Sequence, residues 1–227
     1  MSVHALEQPR VLEWPAERLD YPPTALAQLH HWAQATPLHT ALRHKRQGQW
    51  HAWRWIDVSR DVGRVADGLR QHGFSEVSRL LLSGVFEPNL LLLALAAQSV
   101  GGQVLTVADE VADDDLLQSL ERIQPTHVYT YKGAHWPGQR LDFAELLGPA
   151  EPADHLTRWW QPVGETALWS DQTTGCRGAL ALLLEQWLSS GQGLAFPESP
   201  ASAERDRREV APLDTWRRLC DWATAKR

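Results

Sequence analysis

Cysteine is nearly absent. The chain of 227 residues has two, Cys176 and Cys220, and a single methionine. Two thiols without Cys-x-x-Cys spacing cannot build a structural metal site by themselves, and a disulfide between them has little support. Met1 to Arg10 lack the positive start and apolar run of a secretory signal, so reduced thiols in a cytoplasmic protein are the expectation. Long apolar runs are missing too. The longest, Leu90 to Ala97, falls far short of the ~20 residues a membrane span needs and reads as a core helix. There is no basic excess: 22 Lys and Arg against 28 Asp and Glu leave a net charge of −6. That balance argues against nucleic acid, whose phosphates demand concentrated cations. The basic run from Arg43 to Arg46 is diluted by His44 and Gln47 and reads as a solvated hairpin turn.

Phenylalanine and tyrosine are scarce, at four and three, whereas tryptophan reaches twelve. Some are closely spaced: Trp50, Trp53 and Trp55, then Trp159 and Trp160. Aromatic cages use such residues, but indoles bury so much area that core and interface filling is the first expectation. The length fits one large domain or two small ones, and 43% hydrophobic with 22% charged residues is ordinary for a globular chain.

Residues 1–24 carry Pro9 and Pro15 with weak periodicity and read as an extended arm; residues 25–227 read as one domain. A helix is expected over Ala25–Gln34, then a hairpin whose arms flank Gln47-Gly48. Val58, Val62, Val65 and Leu69 recur at helical spacing within Asp57–His72, and Gly73 closes that helix. Strands are expected at Arg79–Val85, Gln103–Val107 and His127–Tyr131. Helices at Asn89–Val100 and Asp113–Ile123 lie between them. This alternation predicts an α/β fold with a largely parallel sheet flanked by helices. Further on come a short helix Phe143–Leu147, a strand Ala167–Trp169, a helix Ala179–Leu188, a strand Gly193–Phe196 and a last helix Leu213–Ala225. The charged stretch Pro197–Glu209 reads as a connection.

The segment Trp169-Ser170-Asp171-Gln172-Thr173-Thr174-Gly175-Cys176-Arg177-Gly178 resembles the threonine- and glycine-rich ATP loop of adenylate-forming (AMP-binding) acyl-CoA synthetases, roughly [YW]-[TS]-S-G-T-T-G-x-P-K-G. Thr173, Thr174, Gly175 and Gly178 are kept. Asp171-Gln172 stands for the Ser-Gly pair, and Arg177 alone for Pro-Lys. Other segments follow in the family's order. Arg43-His44-Lys45 and Trp53-Arg54-Trp55 resemble its early hairpin, and Val65 to Gly73 a helix ending A-x-G-L-x-x-x-G. Ala94–Gly102 with Val104–Val107, Leu141–Leu147, Gly193–Ser199, Arg208–Pro212 and Trp216 match later segments. Within the family, the pattern resembles that of bacterial long-chain fatty-acid-CoA ligases.

The resemblance implies the fold of the N-terminal subdomain of those enzymes, internally deleted between the loop and the Gly193 strand. It also implies a chain without the adenine motif, the ribose aspartate, the hinge, or the C-terminal domain with its catalytic lysine. It places a degenerate phosphate loop at Thr173, Thr174, Gly175, Arg177 and Gly178. Such a loop binds through backbone N–H groups, hydroxyls and the start of the following helix. Asp171 opposes it, because like charges at contact distance repel by roughly 1–4 kcal/mol depending on dielectric. The expectation is weak ATP or AMP binding at most, with no cofactor required, no catalytic residue and no metal. The blander account is an ordinary strand-to-helix connection.

Other candidates are weaker. His30 and His31 are neighbours on a helix and point to different faces, which argues against joint coordination. His39, His44 and His51 lie near the hairpin without a carboxylate at useful spacing. Glu110, Asp113, Asp114 and Asp115 suit the start of a helix through its dipole. Cys176 beside Arg177 invites a lowered thiol pKa, but no histidine partner is evident.

Three functions follow. The first is a non-catalytic, ligase-like protein acting by association, with itself as a homodimer or with a full-length acyl-CoA synthetase, and tryptophan at the interface. The second is a binding module for a nucleotide, acyl-adenylate or acyl-CoA. The third is residual ligase activity completed by a partner.

Overall fold

A computed structural model describes residues 24–84, 87–107, 120–130, 136–149, 166–169 and 179–210, without the side chains of 24, 166–169, 179, 200 and 207–210. The expected arm, the helix over Leu213–Ala225 and the loop following Trp169 lie outside these residues.

The chain opens with helix α1 (Thr24–Ala35) and a hairpin of β1 (Thr40–Arg46) and β2 (Gln49–Arg54). The hairpin turns at Gln47 and Gly48, both with positive φ (50° and 74°). A two-residue turn of that hand matches strand twist, and glycine tolerates it without strain. The residue after β2, Trp55, begins α2 (Trp55–Gln71). The Asp57 carboxylate fixes that start by accepting from the Arg54 backbone N–H at 3.1 Å and from its Nε at 2.7 Å. Val58, Val62, Val65 and Leu69 of α2 are all buried, as their spacing requires.

Next come β3 (Arg79–Ser83), α3 (Pro88–Val100) and β4 (Gln103–Val107). Helix α3 takes the Leu90–Ala97 run, whose residues are buried on every side. A helix apolar all round has to be interior. Gly101, at φ 91°, caps it in the left-handed region. The later elements are β5 (His127–Tyr129), β6 (Gln139–Arg140), α4 (Phe143–Leu147), β7 (Thr166–Trp169), α5 (Ala179–Ser190), β8 (Gly193–Phe196) and α6 (Ala203–Val210). Of the helix expected over Asp113–Ile123, residues 120–123 are described, and they are helical.

The α/β class and the parallel pairing hold, but the strands divide between two sheets. One has the order β2-β1-β8-β7, parallel except for the hairpin; the other, β4-β3-β5-β6, is parallel throughout. One core holds Leu42, Leu194 and Phe196 from the first sheet and Leu80, Leu82, Val104 and Tyr129 from the second. The apolar faces of α1, α2, α3 and α5 belong to it as well. The helices between the sheets therefore serve both. Leu81, Leu105, Val107, Leu120 and Val128 form a smaller cluster. Strand alternation assigns it to the opposite face of the second sheet.

Three indoles tie this core together. Trp55 and Trp187, fully buried, stack at 5.1 Å and 17°. Trp32 lies 6.1 Å from Trp55. Trp187 Nε1 donates to the Ala41 carbonyl at 3.0 Å and Trp32 Nε1 to that of Leu188 at 2.7 Å. These tryptophans are structural, and they join α1, α2, α5 and β1.

Candidate functional site

Strand β7 runs parallel to β8 (Trp169 beside Ala195), and β8 runs parallel to β1 (Phe196 beside His44). All three end at one edge. The chain leaves that edge at Trp169 and re-enters regular structure at Ala179, the first residue of α5. A connection from the C-terminal end of a parallel strand into a helix is a setting suited to anions, because first-turn N–H groups lack internal partners. Thr173, Thr174, Gly175, Arg177 and Gly178 belong to this connection, as do Asp171, Gln172 and Cys176. The described structure frames the connection at both ends and stops short of those residues themselves.

The edge beside it is described in atomic detail. At the end of β1, Lys45 turns to the outer face of the first sheet and meets Asp206 of α6 at 2.8 Å, with both side chains buried. Asp206 also accepts from Ser202 Oγ at 2.6 Å and from the Glu198 backbone N–H at 3.0 Å. Burial alone would raise the Asp206 carboxyl. The hydrogen bonds from Lys45, Ser202 and Glu198 outweigh it and hold the group below the usual carboxylate range. Arg46 reaches across to Glu87, ahead of α3, at 2.8 Å. Glu198 accepts from the Gly48 N–H at 3.1 Å, joining β8 to the hairpin turn.

His44 faces the other way, buried edge-on against Phe196 at 6.0 Å. Burial first, then the positive charge of Arg46, pushes its imidazole down to about 4. It is therefore neutral at ordinary pH. Lys45 and Arg46, the two cations at the end of β1, are both ion-paired.

The remaining candidates scatter. His30 and His31 are exposed on α1, with His31 edge-on to Trp32 at 4.9 Å. Among the described residues no group of three or more His, Cys, Asp or Glu converges as a metal site. The acidic cluster at 110–115, Cys220 and the Trp159-Trp160 pair lie outside the described residues. Sequence reasoning missed α6 and the buried Lys45–Asp206 pair. A signal was present: Ser199-Pro200-Ala201-Ser202, followed by Glu204 and Asp206, has the serine, early proline and acidic first turn of a helix start. Ser199 and Ser202 cap one another through their hydroxyls and backbone N–H groups.

No protein-family model matches this chain, and no curated protein matches it by sequence. Solved structures match by shape. O-succinylbenzoate coenzyme A synthetase (MenE) from Bacillus subtilis, in complex with ATP and magnesium ion, superposes with a TM-score of 0.62. The identity is 14%, over 81% of this chain and 60% of that one. The Klebsiella oxytoca NpsA N-terminal subdomain, in complex with 3-hydroxyanthranilyl-AMSN, gives 0.57 at 11% identity, over 75% of this chain and 52% of that one. IdnL1 gives 0.58 at 17% identity, over 78% and 44%. The fold is that of the N-terminal region of AMP-binding synthetases. The chain spans less than two thirds of the length of each of these structures. Among the described residues, no helix is long and apolar enough to cross a membrane.

Proposed function

We propose that this chain is a non-catalytic relative of the AMP-binding acyl-CoA synthetases that acts through association, with itself or with a full-length synthetase. One observation carries this reading: the connection that would cradle phosphate is depleted of positive charge. Its own sequence brings Asp171 and loses the lysine, while Lys45 and Arg46, at the end of β1 in the same sheet, are committed to Asp206 and Glu87. Phosphoryl chemistry depends on charge neutralisation at the transferring group, and little is on offer here. Association is supported by Leu38 and Ile56, 48% and 46% exposed. The Ile56 N–H to Pro37 carbonyl bond brings their backbones side by side. The likeness of the hairpin and of Gly193–Ser199 to long-chain ligases favours fatty acyl metabolism in the cytoplasm as the setting.

The test is sedimentation equilibrium together with an assay for acyl-dependent pyrophosphate release. A dimer, or a complex with a synthetase, that releases no pyrophosphate is the expected result. A strict monomer that binds no synthetase defeats the association reading, and turnover defeats the non-catalytic one.

A second reading, a binding module for a nucleotide or acyl-adenylate, draws on the strand-to-helix setting of Thr173–Gly178 and on the ATP and the AMSN compound in the structural neighbours. Calorimetric titration with Mg²⁺-ATP and then with an acyl-adenylate analogue decides it. Saturable heat that Thr174→Val and Arg177→Gln abolish supports the module, and silence with both ligands removes the loop as a site.

A further inference from the structure

Arg43 stands out from the other hairpin cations. It lies two residues before Lys45, so strand alternation puts it on the same outer face of the first sheet. Its Nε is shut off from solvent and, among the described residues, has no hydrogen-bond acceptor, while the residue as a whole stays partly exposed. Its register neighbours are Ala52 on β2 and Ala195 on β8. Methyl side chains on both flanks offer the guanidinium nothing polar. The acidic group paired with neighbouring Lys45 is already engaged, since Asp206 accepts from Lys45, Ser202 and the Glu198 N–H. Desolvation pushes the Arg43 guanidinium down to about 10.

A buried cationic donor without an acceptor is costly, and native proteins seldom keep one. We propose that Arg43 anchors an oxyanion site on the outer face of the first sheet, holding a carboxylate or phosphate group in its guanidinium fork. The edge formed by Nε and one Nη is matched to two oxygens of a single anion. An anion there gives the occluded Nε an acceptor, and the partial exposure of Arg43 gives it a way in. Arg43 lies on β1, and β8 stands between that strand and β7, which precedes Thr173–Gly178 in sequence.

The experiment titrates the intact chain with sodium phosphate and, separately, sodium acetate at ionic strength fixed by chloride. Heat and melting temperature are followed for wild type, Arg43→Met, Arg43→Lys and Thr174→Val/Arg177→Gln. Wild type should bind at least one anion saturably and melt higher with it; which one binds assigns phosphate or carboxylate. Arg43→Met should lose that response and melt no lower than wild type in chloride, because it removes a buried donor that has no acceptor. Arg43→Lys, which keeps the charge without the fork, should bind at least tenfold more weakly and covers the case in which the methionine variant fails to fold. The loop variant should bind as wild type does. Absence of saturable binding to wild type overturns the proposal, as does unchanged binding in Arg43→Lys or loss of binding in the loop variant.

Discussion

Replacing Asp206 by Asn should be among the most damaging single changes in the described structure. Lys45 Nζ and Asp206 Oδ1 are 2.8 Å apart, and the two side chains are 4% and 0% exposed. Asn keeps the shape and can still accept from Ser202 and Glu198, but it leaves the ammonium of Lys45 buried beside a neutral amide. Removing one partner of a buried pair costs about 3–5 kcal/mol. For a chain of this size that lowers the melting temperature by about 6–20 °C. Urea denaturation at pH 7, followed by tryptophan fluorescence, reads the loss directly. Lys45→Met with Asp206→Leu removes both charges and should recover most of it. A loss under about 1 kcal/mol for Asp206→Asn, or a double variant as unstable as the single, refutes the idea that the pair locks α6 onto the sheet. The pH dependence has a definite sign. The folded carboxyl lies below its unfolded value, so the contribution is complete above about pH 4 and disappears as pH falls through the folded pKa. Asp206→Asn should lack that acid limb.

Three further outcomes can be checked with the same assay. His44, pushed down to about 4, refuses a proton that the unfolded chain accepts near pH 6.5. Stability should therefore drop by about 3 kcal/mol between pH 6.5 and 4, and His44→Leu should flatten that window. Trp187→Ala should cost about 3–5 kcal/mol by emptying the indole stack, while Leu182→Ala on the same helix should stay within about 0.5 kcal/mol. On α2 two glycines should respond with opposite signs. An alanine methyl at Gly63 meets nothing within 4 Å, whereas at Gly68 it lands 2.3 Å from the Leu146 carbonyl oxygen. Gly63→Ala should gain about 0.5–1 kcal/mol and Gly68→Ala should lose about 1–3 kcal/mol.

Local chemistry was enough to read much of this chain from its sequence. Val58, Val62, Val65 and Leu69 announced α2 because four apolar residues at helical spacing must share a face. Gln47-Gly48 announced the hairpin turn, and Gly73 the end of α2, because few residues accept a positive φ. The strand ending at Trp169 and the helix from Ala179 were legible as a short and a longer apolar run.

Tertiary structure decided the rest. Both sheets bury apolar strands, so composition cannot tell one sheet from two; the assignment depends on which strand lies beside β8. Helix α6 went unseen because Ala203–Val210 is nearly all charged, and its place is set by Asp206 finding Lys45 161 residues earlier in the chain. Arg43 and Lys45 look alike in sequence, two cations of one hairpin strand. Only the fold gives one of them a carboxylate and leaves the other desolvated between two alanines, because a charge's partner is chosen by three-dimensional neighbours rather than by spacing along the chain.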